Sequence, residues 1–121
     1  MKFISTKTHG FMDYVMGLLL IILPYIMHLD PAAPESIVLF VIGAMMLVMA
    51  IMTRYELGVI RIVSMPTHLL LDILAGAVLA FSPWLFDFNE RIYLPHLLLG
   101  IMEISAALMT QTIAGPAQGA I

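Results

Sequence analysis

Two histidine–aspartate pairs are the residues of this sequence best suited to chemistry. His9 and Asp13 stand four positions apart, and His68 and Asp72 repeat that spacing. In a helix, residues four apart lie one above the other on a single face, so each pair presents an imidazole and a carboxylate to the same neighbours. Such side chains bind metals, carry protons or form strong hydrogen bonds. The spacing by itself does not choose among these chemistries.

Glu103 is a third carboxylate that belongs with the two pairs by depth. It lies in the last apolar segment, and counting back from the end of that segment at about 1.5 Å per residue puts it level with the two aspartates. We therefore predict a buried polar layer near one membrane face, made of His9, Asp13, His68, Asp72 and Glu103. His96, seven residues before Glu103 and nearer the opposite face, is a secondary candidate.

The sequence leaves several roles open for this layer. Ionisable groups inside a membrane cost ~2.5–3.5 kcal/mol each on insertion scales and are by default a hypothesis of function. Three neighbouring carboxylates cannot all ionise without a cation or shared protons. The layer could be hydrogen-bonded packing that fixes helix pairing, a metal or di-metal site, or a proton or ion path. We favour packing; a divalent metal is the cofactor to test, and we do not favour a haem between His9 and His68.

The residues around the two pairs also repeat along the chain. One group recurs at an offset of 59 residues, as Thr8 and Thr67, Gly17 and Gly76, and Pro24 and Pro83. A second group recurs at 57, as Gly43 and Gly100, Ala50 and Ala107, and Thr53 and Thr110. Self-similarity at a fixed offset indicates an internal duplication. We expect one membrane domain with repeats at about residues 8–58 and 67–112 and a flexible tail over 113–121.

The composition is that of a membrane protein. Of the 121 residues, 62% are hydrophobic and only 11% are charged, against ~25% charged in soluble domains. There is no cysteine, which excludes disulfides, thiolate metal sites and a cysteine nucleophile. No basic patch indicates nucleic acid. The predicted partner is therefore the lipid bilayer.

Four apolar segments define the predicted fold. They cover residues 9–27, 36–53, 66–86 and 92–112, each near the ~20 residues that a spanning helix needs. Ser64 is the expected N-cap of the third helix, and Pro34 and Glu35 suit the first turn of the second. We predict an all-α integral membrane four-helix bundle made of two tandem helical hairpins. Their pseudo-two-fold axis would lie along the membrane normal.

The basic residues predict the orientation of the bundle. Lys2, Lys7, Arg54 and Arg61 fall on the side shared by the N-terminus and the middle connection, whereas Arg91 is on the other side. By the positive-inside rule, both termini then lie in the cytoplasm. The expected location is the inner, cytoplasmic membrane of a bacterium.

The sequence Ser82-Pro83-Trp84, near the end of the first helix of a two-helix repeat, resembles the SPW repeat family of small bacterial membrane proteins. The resemblance covers each hairpin and hence nearly the whole chain. The first repeat departs from the motif, since it reads Leu23-Pro24-Tyr25 and keeps only the proline. The resemblance implies the fold and transfers no catalytic residues.

The function that follows is a small polytopic inner-membrane protein, acting as a structural or accessory component. It would pack with itself as a homo-oligomer or within a larger membrane complex. The alternative is a metal-dependent membrane enzyme, or a proton or ion carrier, that uses the polar layer. No nucleotide-binding loop, nucleophile elbow or zincin motif selects a reaction, so the sequence leaves open whether the protein is an enzyme.

Overall fold

A computed structural model describes residues 2–113 of the chain. Within them, the elements are four helices: α1 (Thr6–Ile26), α2 (Pro34–Met52), α3 (Met65–Leu85) and α4 (Leu94–Leu108). The described residues form isolated β-bridges but no strand. The predicted all-α four-helix architecture is confirmed. The tail predicted over 113–121 lies outside the described residues, apart from Ile113.

Helices α1 and α3 begin in the same way. The side chain of Ser5 accepts a hydrogen bond from the backbone N–H of Thr8 at 3.1 Å, and that of Ser64 accepts one from Thr67 at 3.4 Å. Each bond satisfies an N–H that has no partner within the helix. The predicted N-cap at Ser64 is therefore confirmed, and both helices are 21 residues long.

The two helices also end alike. A non-glycine residue beyond each C-cap is left-handed, with φ 57° at His28 and 61° at Asp87. The N–H that follows each of them donates to the carbonyl of the proline in the last helical turn, Pro24 or Pro83, at 2.8 Å. This is the six-to-one bond of a Schellman turn. In α3 it also brings Phe88, which is 1% exposed, under the helix end.

Helix α4 is shorter than predicted. It has 15 residues rather than the 21 of segment 92–112, and in the described part of the chain α1, α2 and α3 are the helices long and apolar enough to cross a membrane. Its end is set by the N-terminal segment. The N–H of Ile4 donates to the carbonyl of Met109 at 2.9 Å, and the N–H of Gln111 donates back to Ile4 at 2.9 Å. This extended pairing takes the place of a further helical turn.

The end of α2 is closed by an equivalent pairing. The N–H of Val63 donates to the carbonyl of Met52 at 2.8 Å, and the N–H of Arg54 donates to Val63 at 2.7 Å. Val63 and Ile4 differ by the same 59 positions as the two histidines, and Arg54 and Gln111 by the 57 of the second group. The two halves of the chain therefore make the same contacts at this end of the bundle.

Two hairpins, α1–α2 and α3–α4, account for most of the packing, and α2 joins them by packing on α3. Facing glycines let the helices of each hairpin approach closely. A Cβ on Gly43 would lie 2.8 Å from the carbonyl oxygen of Gly17, and one on Gly100 would lie 2.5 Å from that of Gly76. Small residues at a crossing are typical of helices packed inside membranes.

The apolar core fills the half of the bundle away from the termini. Its buried members are Leu20, Val38, Leu39, Ile42, Met46, Leu79 and Phe88. Large apolar side chains also cover the outside, as in Phe81, which is 64% exposed. An outer surface of this kind on long apolar helices is what contact with a lipid bilayer requires. Two buried histidine–aspartate pairs lie in the other half of the bundle.

Candidate metal centre

Four buried side chains meet between α1 and α3, and we call His9, Asp13, His68 and Asp72 the tetrad. Each is at most 4% exposed. The Nε2 atom of each histidine faces the Oδ2 atoms of both aspartates. The distances between hairpins are 2.8 Å for His9–Asp72 and 2.7 Å for His68–Asp13. Those within one helix are 3.2 Å for His9–Asp13 and 3.0 Å for His68–Asp72.

The helical spacing places each histidine beside its own aspartate, but the shorter contacts cross to the other hairpin. The sequence predicted that each pair would share a face. It did not predict the exchange of partners, which depends on how α1 and α3 cross. The tetrad therefore links the two hairpins through their most polar side chains.

Two threonines determine that Nδ1 of each tetrad histidine carries a hydrogen. Thr53 and Thr110 each donate the hydroxyl hydrogen to the backbone carbonyl four residues earlier, at 2.5 and 2.6 Å. The same hydroxyl oxygens lie 2.6 Å from Nδ1 of His68 and 2.8 Å from Nδ1 of His9. A hydroxyl has one hydrogen, so each oxygen must accept here and each Nδ1 must donate.

The threonines were missing from the predicted layer, although the sequence held a signal for them. Thr53 and Thr110 recur at the 57-residue offset of the second helices. They lie where α2 and α4 end, which brings them back to the depth of the histidines. Both are fully buried. Their role could not be inferred without knowing which hairpin each histidine contacts.

The fixed Nδ1 hydrogen determines what the centre of the tetrad requires. If Nε2 carried no hydrogen, its lone pair would point at carboxylate oxygens 2.7–3.2 Å away, which is repulsive unless a proton or a metal cation lies between them. Two ionised carboxylates would also place two negative charges in a buried site. The tetrad is therefore completed either by two protons, each shared between an Nε2 and an Oδ2 atom, or by one divalent cation.

The tetrad also has the geometry to hold a metal ion. One ligand atom from each residue lies within 4.8 Å of all the others. Four ligands at ~2.0–2.1 Å around a tetrahedral ion would be about 3.3–3.4 Å apart. The nitrogen–oxygen contacts of 2.7–3.2 Å would need to open by about 0.1–0.7 Å to reach that spacing. A haem does not suit the same space, because the aspartate oxygens already occupy the approach to both Nε2 atoms.

Glu103 lies next to the tetrad and does not join it. Its side chain is 7% exposed, and among the described residues its Oε1 atom has no hydrogen-bond partner. A cavity of about 30 Å³ is lined by Glu103 and Asp13 together. The structure therefore brings together four of the five residues predicted for the layer and leaves Glu103 at the edge.

His96 lies at the opposite end of the bundle, away from the tetrad. Its Nε2 atom donates to the backbone carbonyl of Glu35 at 2.9 Å, and its ring packs on Phe88 at a centroid distance of 4.9 Å. The carboxylate of Glu35 binds Arg91 through two bonds of 2.9 Å each, and that contact raises the pKa of the Arg91 guanidinium. This end of the bundle is thus held by its own polar contacts.

The connection between α2 and α3 covers the tetrad from the side of the termini. Tyr55 is 1% exposed, and its ring occupies the space that a side chain at Gly10 would need. The ring lies 6.3 Å from that of His68. Burial raises the pKa of the Tyr55 phenol. Thr6 donates to the Glu56 carboxylate at 2.7 Å and holds the same connection against α1.

A family model described as the SPW repeat domain matches residues 7–110, which is most of the chain. Neither the curated proteins nor the solved structures give a match.

Proposed function

The chain belongs to the SPW repeat family, and on that premise we propose that it is a small integral membrane protein whose hairpins are joined by a bound divalent metal ion. The tetrad is the proposed site, and the metal is of the zinc class. The role is structural or accessory: the ion fixes how the two hairpins pair. The single observation that carries this proposal is the convergence of four ligand atoms whose histidines already have their Nδ1 hydrogens in use.

The choice of ions follows from the ligand atoms. Two imidazole nitrogens and two carboxylate oxygens suit zinc and neighbouring transition metals, whereas calcium and magnesium prefer all-oxygen sites. Two neutral histidines and two carboxylates carry a charge of −2, which one divalent cation neutralises. Metal-bound histidines commonly donate their second ring N–H to a fixed acceptor. The hydroxyls of Thr53 and Thr110 supply that acceptor.

Four protein ligands also bear on the type of site. Structural zinc sites are usually closed by four protein ligands, while catalytic sites keep a position for water or substrate. The tetrad supplies four ligands and so favours a structural ion over an enzyme. Purely proton-filled packing is the second candidate, supported by contacts of 2.7 and 2.8 Å between the hairpins.

The proposal includes the setting of the site. We place the protein in the inner membrane of a bacterium, with both termini and the tetrad on the cytoplasmic side. The matching ends of α1 and α3 and the matching pairings of Ile4 and Val63 support an internal duplication, with repeats at about residues 8–58 and 67–112. Association into homo-oligomers or a larger complex fits the apolar outer surface.

Metal binding is tested on the full chain purified in detergent. After removal of metals with a chelator, titration with Zn²⁺ should show one equivalent bound and a rise in the melting temperature, because a ligand that binds only the folded state stabilises it. Asp72→Asn should weaken binding at least about 100-fold, since it removes a charged ligand. Elemental analysis of the protein as purified should show about one metal ion per chain.

Two substitutions at the far end serve as matched controls. Asp87→Asn makes the same chemical change at an exposed left-handed residue, where asparagine is well tolerated. His28→Asn is the corresponding control for a His68→Gln variant. Both controls should bind Zn²⁺ like the wild type. If the wild-type protein binds no Zn²⁺, or if Asp72→Asn binds as tightly as Asp87→Asn, the tetrad is proton-filled packing and the metal proposal is wrong.

A further inference from the structure

Glu103 is a buried carboxylate that the proposed four-ligand site does not use. It is 7% exposed, and Oε1 has no hydrogen-bond partner among the described residues. An unpaired polar atom at this depth is costly and calls for a ligand or water. The cavity of about 30 Å³ that Glu103 shares with Asp13 is large enough for one small occupant.

The position of the cavity connects it to the tetrad. Asp13 contributes Oδ2 to the tetrad and also lines the cavity. The other lining residues are Met12, Met16, Met102 and Ala106, so the cavity lies in the cleft between α1 and α4. These two helices touch only sparsely, in contrast to α2 and α3.

The equivalent cleft between α2 and α3 has no such carboxylate. The residue that corresponds to Glu103 at the 57-residue offset is Met46, which belongs to the apolar core. The groove on that side has a volume of about 450 Å³ and is lined by apolar side chains such as Met45, Leu71 and Ala75. The tetrad is therefore flanked by a carboxylate on the α1–α4 side of the bundle and by apolar side chains on the α2–α3 side.

We propose that Glu103 is an access ligand: a divalent cation that comes from the end of the bundle where the termini lie is held by Glu103 and Asp13 before it enters the tetrad. This rests on the proposed metal site. A carboxylate in a low-dielectric cleft raises the local concentration of cations. Once the ion lies in the tetrad, Glu103 is no longer one of its ligands. Loss of Glu103 should therefore change how fast the ion enters and leaves, and leave its affinity unchanged.

The probe is Co²⁺ alone, added to the metal-free full chain in detergent micelles. Co²⁺ in a tetrahedral nitrogen–oxygen site absorbs strongly in visible light, so stopped-flow absorbance follows loading, and mixing with a chelator follows release. Glu103→Gln should slow both rates by about tenfold with the final spectrum and Kd unchanged. Glu90→Gln, which removes an exposed carboxylate outside the layer, should alter neither rate.

Two further variants keep the test decisive. Glu103→Met introduces the residue found at the equivalent position 46 and avoids an unpaired amide, so it should fold and give the same slow rates. Glu103→Asp keeps the carboxyl group and should recover part of the speed. Unchanged rates in Glu103→Gln and Glu103→Met would overturn the access role. A weaker Kd with an unchanged loading rate would make Glu103 a ligand of the bound ion and would also overturn it.

Failure of the two proposals can be told apart. If the wild-type protein gives no tetrahedral Co²⁺ spectrum at any concentration, the metal site itself is wrong, and the access role falls with it. If the spectrum forms at one equivalent and the Glu103 variants load at the wild-type rate, only the access role is wrong, and the cavity holds water.

Discussion

At the scale of single residues, each tetrad histidine is held by groups from the opposite hairpin. His9 bonds Asp72 through Nε2 and Thr110 through Nδ1. His68 bonds Asp13 and Thr53 in the same manner. Both ring nitrogens are therefore oriented by the partner hairpin, and a ring cannot turn without losing two bonds. This arrangement fixes the direction of the Nε2 atoms before any ion binds.

The threonine hydroxyls should accordingly contribute to metal affinity without touching the metal. Thr53→Val keeps the shape of the side chain and removes the acceptor of the Nδ1 hydrogen. We expect Zn²⁺ affinity to fall by about 10–100-fold, the usual cost of losing such an outer contact. Isothermal titration of the purified protein measures it, and Thr110→Val should behave alike. Thr112→Val is the matched control, and an equal loss in that variant would contradict the assigned role.

At the scale of helices, two kinds of close contact decide how the elements pack. Glycine pairs bring the backbones of each hairpin together. A glycine also lets the connection between α2 and α3 pack on α1, because the ring of Tyr55 occupies the space that a side chain at position 10 would fill. Both contacts are intolerant of added volume, since the nearest atoms belong to a backbone or to a fully buried ring.

The two hairpin crossings should differ in their sensitivity to a methyl group. In Gly100→Ala the new Cβ would lie 2.5 Å from two backbone atoms of α3, whereas in Gly43→Ala its nearest neighbour is 2.8 Å away. We expect both variants to lose stability, by about 1–3 kcal/mol, with the larger loss in Gly100→Ala. Unfolding in mixed detergent and SDS gives the order. Ala32→Ser, in the exposed first connection, should be neutral, and a reversed order would contradict the close contact seen at Gly100.

The contact between Gly10 and Tyr55 predicts a compensating pair of substitutions. Gly10→Ala places a methyl group inside the space of the ring and should destabilise the protein by about 1–3 kcal/mol. In a Tyr55→Ala background the same change should cost much less, because the ring is gone. A double-mutant cycle measured by thermal unfolding should give a coupling of about 0.5–3 kcal/mol. Additive effects would show that Tyr55 does not pack there in solution.

At the scale of the whole molecule, the bundle is held by polar contacts at both ends and by hydrocarbon between them. The tetrad lies towards the termini, and the bidentate pair of Glu35 and Arg91 lies at the other end. The basic residues are distributed unequally between the two ends. The tetrad end has Lys2, Lys7, Arg54 and Arg61, and the opposite end has Arg91. That asymmetry is the basis for placing the tetrad on the cytoplasmic side.

Topology reporters test this orientation. Fusions at residue 121 and within residues 54–61 should report a cytoplasmic location, because the positively charged connections remain inside. Fusions near Pro31 or Asn89 should report an external location. Replacing Arg91 with glutamine serves as a control that should leave the pattern unchanged, since it removes the lone basic residue of the external side. A cytoplasmic signal near Pro31 would reverse the orientation.

The sequence by itself determined the class of the protein and most of its local structure. Hydrophobic runs near the length of a bilayer allow only helices, and capping residues such as Ser64 mark where they begin. The recurrence of His9 and Asp13 as His68 and Asp72 was visible because helical spacing is a local property. The depth of Glu103 could be estimated for the same reason. The length of α4 could not, since its end depends on pairing with Ile4, more than a hundred positions away.

Only the tertiary structure decided which partner each polar group takes. The exchange of aspartates between the hairpins depends on the crossing of α1 and α3, to which no local pattern is sensitive. The inclusion of Thr53 and Thr110 follows from that crossing, as does the exclusion of Glu103. Depth along a helix is fixed by counting residues, but distance across a bundle is fixed by packing. The packing of α1 against α3 therefore brings the two pairs together as a candidate metal centre. Helical spacing by itself shows only that the histidine and aspartate of each pair share a face.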